Sequence, residues 1–297
     1  MLEPKLLEAL QAVVECGGFD KAAKRLFLTQ SAVSQRIKQL EENLGQPVVT
    51  RTSPLEPTLP GQRLLRYYHQ ISLMEQDLLE ILPSSHEAST AFTTLTLGVN
   101  ADSLACWFLQ AMKPFLKQQR IVLDVLVEDQ DHTHTLMRNG QVTGCISTRS
   151  QAIQGSECLF LGHMRYLCLA SDEFRNRYFP HGVTHTALAH APAILFDRKK
   201  DDMHHQFLNT FFSYQGSFPA FILPTPQGFV DYTREGLAYS LLPQLILSNE
   251  IQNGQLVDLC PGKWVDLPLY WHHWRFESTL LHTLQTQLLA FAQQHLR

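Results

Sequence analysis

One stretch, Thr29 to Gly45 (TQSAVSQRIKQLEENLG), constrains this chain most, because as a helix it has two faces of opposite character. At the pitch of an α-helix, four apolar side chains fall within a sector of about 60°: Val33, Ile37, Leu40 and Leu44. The opposite side carries Ser31, Ser34, Gln35 and Lys38. The apolar face predicts packing on a small domain, and the polar face has groups that bind base edges and phosphates in a DNA major groove. Taken alone, the segment fits an ordinary amphipathic surface helix equally well.

The flanking sequence favours a helix-turn-helix. Upstream, Phe19 to Leu26 (FDKAAKRL) predicts a short helix, and only Phe27 to Thr29 separates it from the longer one. Two helices with such a short connection, the second with a polar outer face, form the helix-turn-helix arrangement. Downstream, Pro47 to Gly61 (PVVTRTSPLEPTLPG) predicts a two-stranded wing, with Arg51 placed to reach phosphate or a minor groove.

Charge separates this end of the chain from the rest. Lys21 to Arg66 carries eight Lys or Arg and three acids, whereas the whole chain has a formal net charge of −4. A basic module on an acidic protein is the electrostatic footprint of DNA binding, because phosphates supply much of the affinity. We therefore predict two sets of DNA contacts. The base-reading residues are Gln30, Ser31, Ser34 and Gln35, and the phosphate-binding residues are Arg36, Lys38 and Arg51.

A second long helix is predicted from Pro60 to Leu82, since proline suits the first turn of a helix. Its apolar residues at near-heptad spacing are Leu64, Tyr68, Ile71, Leu78 and Leu82. This stripe needs a partner, either the chain's own C-terminal part or the same helix of a second subunit. We favour the second subunit, because a two-fold dimer presents two recognition helices to a pseudo-palindromic site. The polar, aperiodic stretch 83–94 then predicts a hinge.

Beyond the hinge, strand-like and helical patterns alternate. The runs LTLGV and IVLDVLVE flank the helical run DSLACWFLQAMKPFL, and further strands and helices follow. Such alternation predicts a parallel sheet with helices on both sides. The predicted fold class is α/β: an N-terminal winged helix-turn-helix with a long linker helix, then a two-lobed effector domain like the periplasmic binding proteins.

The residues also resemble those of a known family. The run from Ala22 to Thr52 (AAKRLFLTQSAVSQRIKQLEENLGQPVVTRT) is similar to the winged helix-turn-helix signature of LysR-type transcriptional regulators. Matches to members that respond to lysine and arginine continue along the chain: VNADSLA, VEDQ, YFPHGVT, DDMHHQFL and LYWHHW. The resemblance implies a homodimeric or homotetrameric activator that binds double-stranded DNA, contacts RNA polymerase, and senses a basic amino acid without any cofactor. It also implies that the chain leaves its first lobe near Gly162 and returns near Leu267.

These predictions divide the chain into parts. The DNA-binding domain is 1–59, the linker helix 60–82 and the hinge 83–94. The effector domain is 95–297, with lobe I at 95–162 and 267–297 and lobe II at 163–266.

Strand ends nominate the effector site, because ligands of such folds lie at the carboxyl ends of strands, between the lobes. Asn100, Asp102 and Ser103 follow the first strand and begin a helix whose free N–H groups fit an α-carboxylate. A cationic ligand also needs acids, since an unpaired charge in a closed cleft is costly. The predicted effector-binding residues are Asn100, Asp102, Ser103, Glu128, Asp129, Thr148, Asp197 and Phe229. For each acid, a helix cap or a solvated loop is an equal alternative.

Other classes of function find no support in the sequence. The fourteen histidines include close pairs, but no H-E-x-x-H or clustered Cys-His spacing, so we predict no metal. No P-loop, G-x-S-x-G or G-x-G-x-x-G motif occurs, which argues against an enzyme. No leader pattern and no apolar run of about 18 residues occurs, which predicts a cytoplasmic protein. The alternative function is an architectural DNA-binding protein whose C-terminal lobes only oligomerise.

Overall fold

Three helices at the start of the chain form the predicted helix-turn-helix. A computed structural model describes residues 2–50, 55–81, 92–128, 133–197, 202–247, 253–275 and 278–297. The first helices are α1 Pro4–Glu15, α2 Phe19–Arg25 and α3 Gln30–Leu44. The Thr29 hydroxyl caps α3 by accepting a hydrogen bond from the Ala32 N–H at 3.2 Å, and Gly45 ends it in the left-handed conformation.

The apolar face of α3 forms the centre of this domain's core. Val33, Ile37 and Leu40 are buried together with apolar residues of α1 and with Ala22 and Ala23 of α2. Alanine side chains are small enough to let one helix cross close to another. The predicted orientation of α3, apolar side inward, is therefore confirmed.

A short antiparallel bridge follows α3 where the wing is predicted. Val49 bridges Pro57, and the Thr50 N–H donates to the Glu56 carbonyl at 2.8 Å. Arg51 and its neighbours up to residue 54 lie outside the described residues.

Helix α4, Leu59–Ile81, divides its apolar residues between different neighbours. Leu64 and Tyr68 pack into the core of the N-terminal domain, and Leu73 is also buried. Tyr67, Met74 and Leu78 are exposed. Leu82, the last member of the predicted stripe, lies outside the described residues.

The elements beyond α4 alternate as predicted. In chain order they are β1 Thr93–Asn100, α5 Ala101–Ser103, a π-helical turn Leu104–Phe108, α6 Leu109–Gln118, β2 Ile121–Glu128, α7 Thr133–Arg138, β3 Gly144–Ser147, β4 Ser156–Ala170, α8 Asp172–Tyr178, α9 His185–His190, β5 Ala193–Leu195, α10 Asp202–Phe212, β6 Ala220–Ile222, α11 Pro226–Arg234, β7 Ser240–Pro243, a 3₁₀ turn Gln244–Leu247, β8 Val257–Asp258, β9 Trp264–Trp274 and α12 Thr279–His295. The α/β fold class is thereby confirmed. Strand β4 is the longest of these strands, with 15 residues.

The chain divides into two compact units. The first contains Met1–Asn100, Pro114–Leu159 and Tyr270–Thr286, and the second contains Ala101–Lys113, Phe160–Leu269 and Gln287–Arg297. In the first unit, β1 pairs in parallel with β2 and with β3, and the end of β9 pairs antiparallel with β3. In the second, β4 pairs antiparallel with β7 and β8, and β5 pairs in parallel with β6. The prediction of a parallel sheet is therefore confirmed for β1 with β2 and β3 and for β5 with β6, and is wrong for the pairs made by β4 and β9.

Within the first unit, α4 is docked on the chain's own sheet domain through the turn that follows α7. Gly140 has φ +71°, and a Cβ placed there would lie 2.5 Å from the Gln62 carbonyl oxygen of α4. Burial lowers the pKa of His69 to about 4, against the opposing effect of a hydrogen bond with the Gly140 backbone. The alternative in which α4 packs on its own chain is therefore realised for this part of the helix, and pairing with a second subunit stays a prediction.

Two further contacts hold the same helix. The Arg66 guanidinium lies 4.6 Å from the centre of the Trp274 ring of β9. The Asp77 carboxylate accepts from the Thr279 N–H at 3.1 Å and from the Leu280 N–H at 3.3 Å, and so caps the start of α12. Helix α4 therefore joins the DNA-binding domain to the sheet at three separate points.

We expect Gly140→Ala to lower the free energy of unfolding by about 3 kcal/mol, because it adds both left-handed strain and overlap with α4. Gly155→Ala is the matched control, since Gly155 has φ +81° with nothing within 4 Å of the new Cβ. Its free energy of unfolding should fall only by the cost of the left-handed strain, about 1 kcal/mol. Urea unfolding of both variants measures their free energies of unfolding. If both variants lose the same amount of stability, α4 does not pack closely against the Gly140 turn.

Candidate DNA-binding face and effector site

The polar face of α3 is open, as DNA reading requires. Gln30, Ser31, Gln35 and Lys38 are exposed, and Ser34 is half-buried between them. The Thr29 and Ser31 hydroxyl oxygens lie 3.0 Å apart, which orders the start of the helix. Four of the predicted contact residues therefore share one accessible surface with Ser34 at its centre.

The basic residues of α3 have different surroundings. Lys38 is 74 % exposed at its side chain and lies 3.6 Å from Glu42, one helical turn away. The Arg36 guanidinium instead reaches α1, where it lies 3.7 Å from a Glu8 carboxylate oxygen and 3.5 Å from the Lys5 carbonyl oxygen. Exposed ion pairs are weak, so phosphate can replace either carboxylate.

The sequence reasoning did not single out an exposed aromatic residue in the turn before α3. Phe27, in the turn between α2 and α3, is 95 % exposed and has φ 54°. A bulky residue in this backbone region is strained, and such strain concentrates at functional positions. The left-handed conformation of Phe27 could not be predicted from its residue type, since Gly is the usual residue at positive φ. The short connection between α2 and α3 was the only signal in the sequence.

Three predicted effector residues lie at the carboxyl edge of the sheet in the first unit. Asn100 is the last residue of β1 and stands opposite Glu128, the last residue of β2, in the parallel register. Thr148 directly follows β3, the other neighbour of β1. Asn100 is buried, Thr148 half-buried and Glu128 exposed. Asp129 lies outside the described residues.

Asp102 and Ser103 lie in α5, the first helical segment of the second unit. The Tyr166 hydroxyl of β4 donates to Asp102 Oδ2 at 2.6 Å. Ser103 is fully buried, and its Oγ has no hydrogen-bond partner among the described residues. The same holds for Asn100 Oδ1, at the end of the strand that leads into this helix. Buried polar atoms are normally paired. Others without a partner among the described residues lie elsewhere, for example Trp271 Nε1 and Trp274 Nε1 of β9. Asn100 and Ser103 are the candidate ligand-binding atoms because they lie at the carboxyl end of a parallel strand.

The other two predicted residues of the second unit differ in role. Asp197 is half-buried just beyond β5. Phe229 of α11 packs on a cluster that includes Leu169, Val230 and Leu242. Its ring therefore contributes to a local core, and its part in ligand binding stays a prediction.

The titratable groups elsewhere are mainly structural. Among the described residues, no group of three His, Cys, Asp or Glu is arranged to hold a metal ion. All six cysteines are free, and the hydrogen bond with Cys260, together with burial, raises the pKa of Cys168 well above its usual range. Burial lowers the pKa of His272, whose Nε2 lies 2.7 Å from the Arg149 carbonyl oxygen. No helix of the described chain is long and apolar enough to cross a membrane.

Comparison with known families agrees with this architecture. A model described as bacterial regulatory helix-turn-helix protein, lysR family, matches residues 4–62, and one described as LysR substrate binding domain matches residues 89–293. The chain belongs to the LysR family: it is a DNA-binding transcriptional regulator with a C-terminal effector-binding domain. Members of this family are regulators and not enzymes.

Individual relatives are similar over nearly the whole chain. The HTH-type transcriptional regulator ArgP of Pseudomonas aeruginosa (strain UCBPP-PA14) is 44% identical over 292 residues, 98% of this chain and 96% of that protein. The crystal structure of ArgP from Mycobacterium tuberculosis has a TM-score of 0.82 at 36% identity, covering 100% of this chain and 99% of that one. Full-length LysG from Corynebacterium glutamicum with bound effector Arg has a TM-score of 0.74 at 30% identity, covering 100% of both chains.

Proposed function

We propose that this regulator is controlled by a basic amino acid, lysine or arginine, bound where β1 leads into α5. The observation that carries the proposal is a pair of buried oxygens, Asn100 Oδ1 and Ser103 Oγ, that have no hydrogen-bond partner among the described residues and flank Asp102 in the sequence. Leaving a buried polar atom without a partner costs about 1–3 kcal/mol, and a ligand that supplies the bond recovers this free energy. The arginine-bound LysG relative supports the same class of ligand.

The chemistry of these groups assigns the two ends of an α-amino acid. The Ser103 hydroxyl and the first N–H groups of the helical segment donate to the α-carboxylate, because a helix start favours negative charge. Asn100 Oδ1 and the Asp102 carboxylate accept from the α-ammonium group. The remaining acids proposed for the side-chain cation are Glu128, Asp129 and Asp197, and Thr148 is proposed as a further carboxylate donor.

We expect calorimetric titration of the full-length protein to show binding of lysine or arginine and no binding of alanine. Asp102→Asn should weaken the affinity at least tenfold, because a charge-assisted bond to the ammonium is lost. Asp172→Asn, an exposed aspartate in the first turn of α8, is the matched control and should bind like wild type. Absence of heat and of any thermal shift with both amino acids would refute the effector proposal while leaving DNA binding intact.

For the output, we propose that α3 lies in the major groove with Gln30, Ser31, Ser34 and Gln35 reading bases. Arg36, Lys38 and Arg51 neutralise phosphates. Exposure of the polar face supports the first assignment, and the basic charge of the domain supports the second. Direct readout of this kind depends on a few side chains that reach base edges, whereas phosphate contacts act on all sequences alike.

We propose that the protein forms a dimer through helix α4. Tyr67, Met74 and Leu78 form an exposed apolar row at spacings of seven and four residues along α4, which suits pairing with the same helix of a second subunit. A dimer, or a dimer of dimers, would place two copies of α3 in successive major grooves. Effector binding then changes DNA bending and contact with RNA polymerase at genes of amino-acid export or metabolism.

The reading face is tested by the double variant Ser34→Ala with Gln35→Ala. On a duplex selected by the wild-type protein from a random pool, we expect the preference over random DNA to fall at least tenfold. Asn43→Ala, an exposed change on the side of α3 away from this face, should keep the preference. Binding is measured by fluorescence anisotropy at fixed salt, and an unchanged preference in the double variant would contradict the assignment.

A further inference from the structure

A buried tyrosine, Tyr166, is hydrogen-bonded to Asp102 in α5. Tyr166 lies on β4 and is 1 % exposed, and its hydroxyl donates to Asp102 Oδ2 at 2.6 Å. The two residues are 64 positions apart in the chain, so the contact depends on the fold of the second unit rather than on local sequence. Asp102 itself is half-buried.

We propose that Tyr166 is a positioning residue that makes Asp102 a reader of the effector's α-ammonium group. This inference rests on the proposed function. The strand fixes the tyrosine, because Tyr166 pairs with Pro243 in the antiparallel ladder of β4 and β7. The tyrosine in turn fixes one carboxylate oxygen of Asp102, and a carboxylate has lone pairs for several donors, so the ammonium can be accepted beside the phenol.

The position of Asp102 next to Ser103 indicates which group of the ligand it binds, the α-ammonium or the side-chain cation. Ser103, the next residue, has the buried hydroxyl proposed for the α-carboxylate. In an α-amino acid the ammonium nitrogen is separated from the carboxylate carbon by one carbon atom. An acid held one residue from the carboxylate donor therefore meets the α-ammonium, and the side-chain cation of lysine or arginine extends beyond it.

A flexible Asp102 side chain would bind the α-ammonium group less tightly. An aspartate that must choose its rotamer on binding pays an ordering cost, whereas one held by a rigid partner is already in place. The phenol also donates to the ionised form of the carboxylate and so favours the charge that attracts an ammonium. Both effects act only on the ligand group that Asp102 contacts.

The test compares Tyr166→Phe with wild type for two ligands, lysine and 6-aminohexanoate, which is lysine without its α-amino group. We expect lysine affinity to fall about tenfold and 6-aminohexanoate affinity to remain unchanged, so that the preference for lysine is lost. Tyr239→Phe is the matched control, since Tyr239 is also 1 % exposed and its hydroxyl lies 3.2 Å from His204 Nε2. It should leave both affinities unchanged.

A second measurement separates positioning from general damage to the fold. In the Asp102→Asn background, adding Tyr166→Phe should cause no further loss of lysine affinity, because the tyrosine acts through Asp102. Equal weakening of both ligands, additive losses in the double variant, or unchanged lysine binding by Tyr166→Phe would each overturn the inference. Failure of the wild-type protein to bind either lysine or arginine would refute the proposed function, a result distinct from all three.

Discussion

The docking of α4 on the sheet domain is the contact on which the remaining architecture depends. The Gly140 turn accepts the helix at a distance that excludes any side chain, and Asp77 binds the start of α12. The same helix contributes Leu64 and Tyr68 to the core of the DNA-binding domain. Packed interfaces have a few discrete arrangements rather than a continuum. We therefore expect this contact to couple the DNA-binding domain to the sheet domain.

The segment from Asn100 to Ser103 illustrates a second constraint, the cost of burying polar groups. Asn100 Oδ1 and Ser103 Oγ are buried without a partner among the described residues, whereas the neighbouring Asp102 has its partner in Tyr166. When buried polar atoms lack hydrogen bonds, a ligand that supplies those bonds stabilises the state to which it binds. By linkage, the ligand shifts the equilibrium only by the difference in its affinity for the two states. Under the proposed function, the effector's bonds to these two oxygens supply that difference.

Local patterns made the helix-turn-helix and the α/β alternation predictable from sequence. The faces of α3, its cap at Thr29 and its stop at Gly45 depend on residues within one helix, and the alternation of strands and helices depends on short windows. The strand ends Asn100 and Glu128 were found because parallel strands bring their carboxyl ends to one edge.

Features that depend on distant residues were not predictable. The stripe of α4 was treated as a single surface, yet Leu64 packs inward and Leu78 is exposed, because two neighbours approach the helix from different sides. Tyr166 reads as an ordinary core residue of a strand, and only the fold brings it to Asp102. Helices α8, α9 and α11, of seven, six and nine residues, were also missed.

The central claim, that a basic amino acid is bound by the segment from Asn100 to Ser103, is tested most directly by a crystal structure of the protein grown with lysine. The account predicts an α-carboxylate within hydrogen-bond distance of Ser103 Oγ and an α-ammonium within hydrogen-bond distance of Asp102, with the Tyr166 bond retained. Lysine bound elsewhere, with the Ser103 hydroxyl still without a partner, would contradict it.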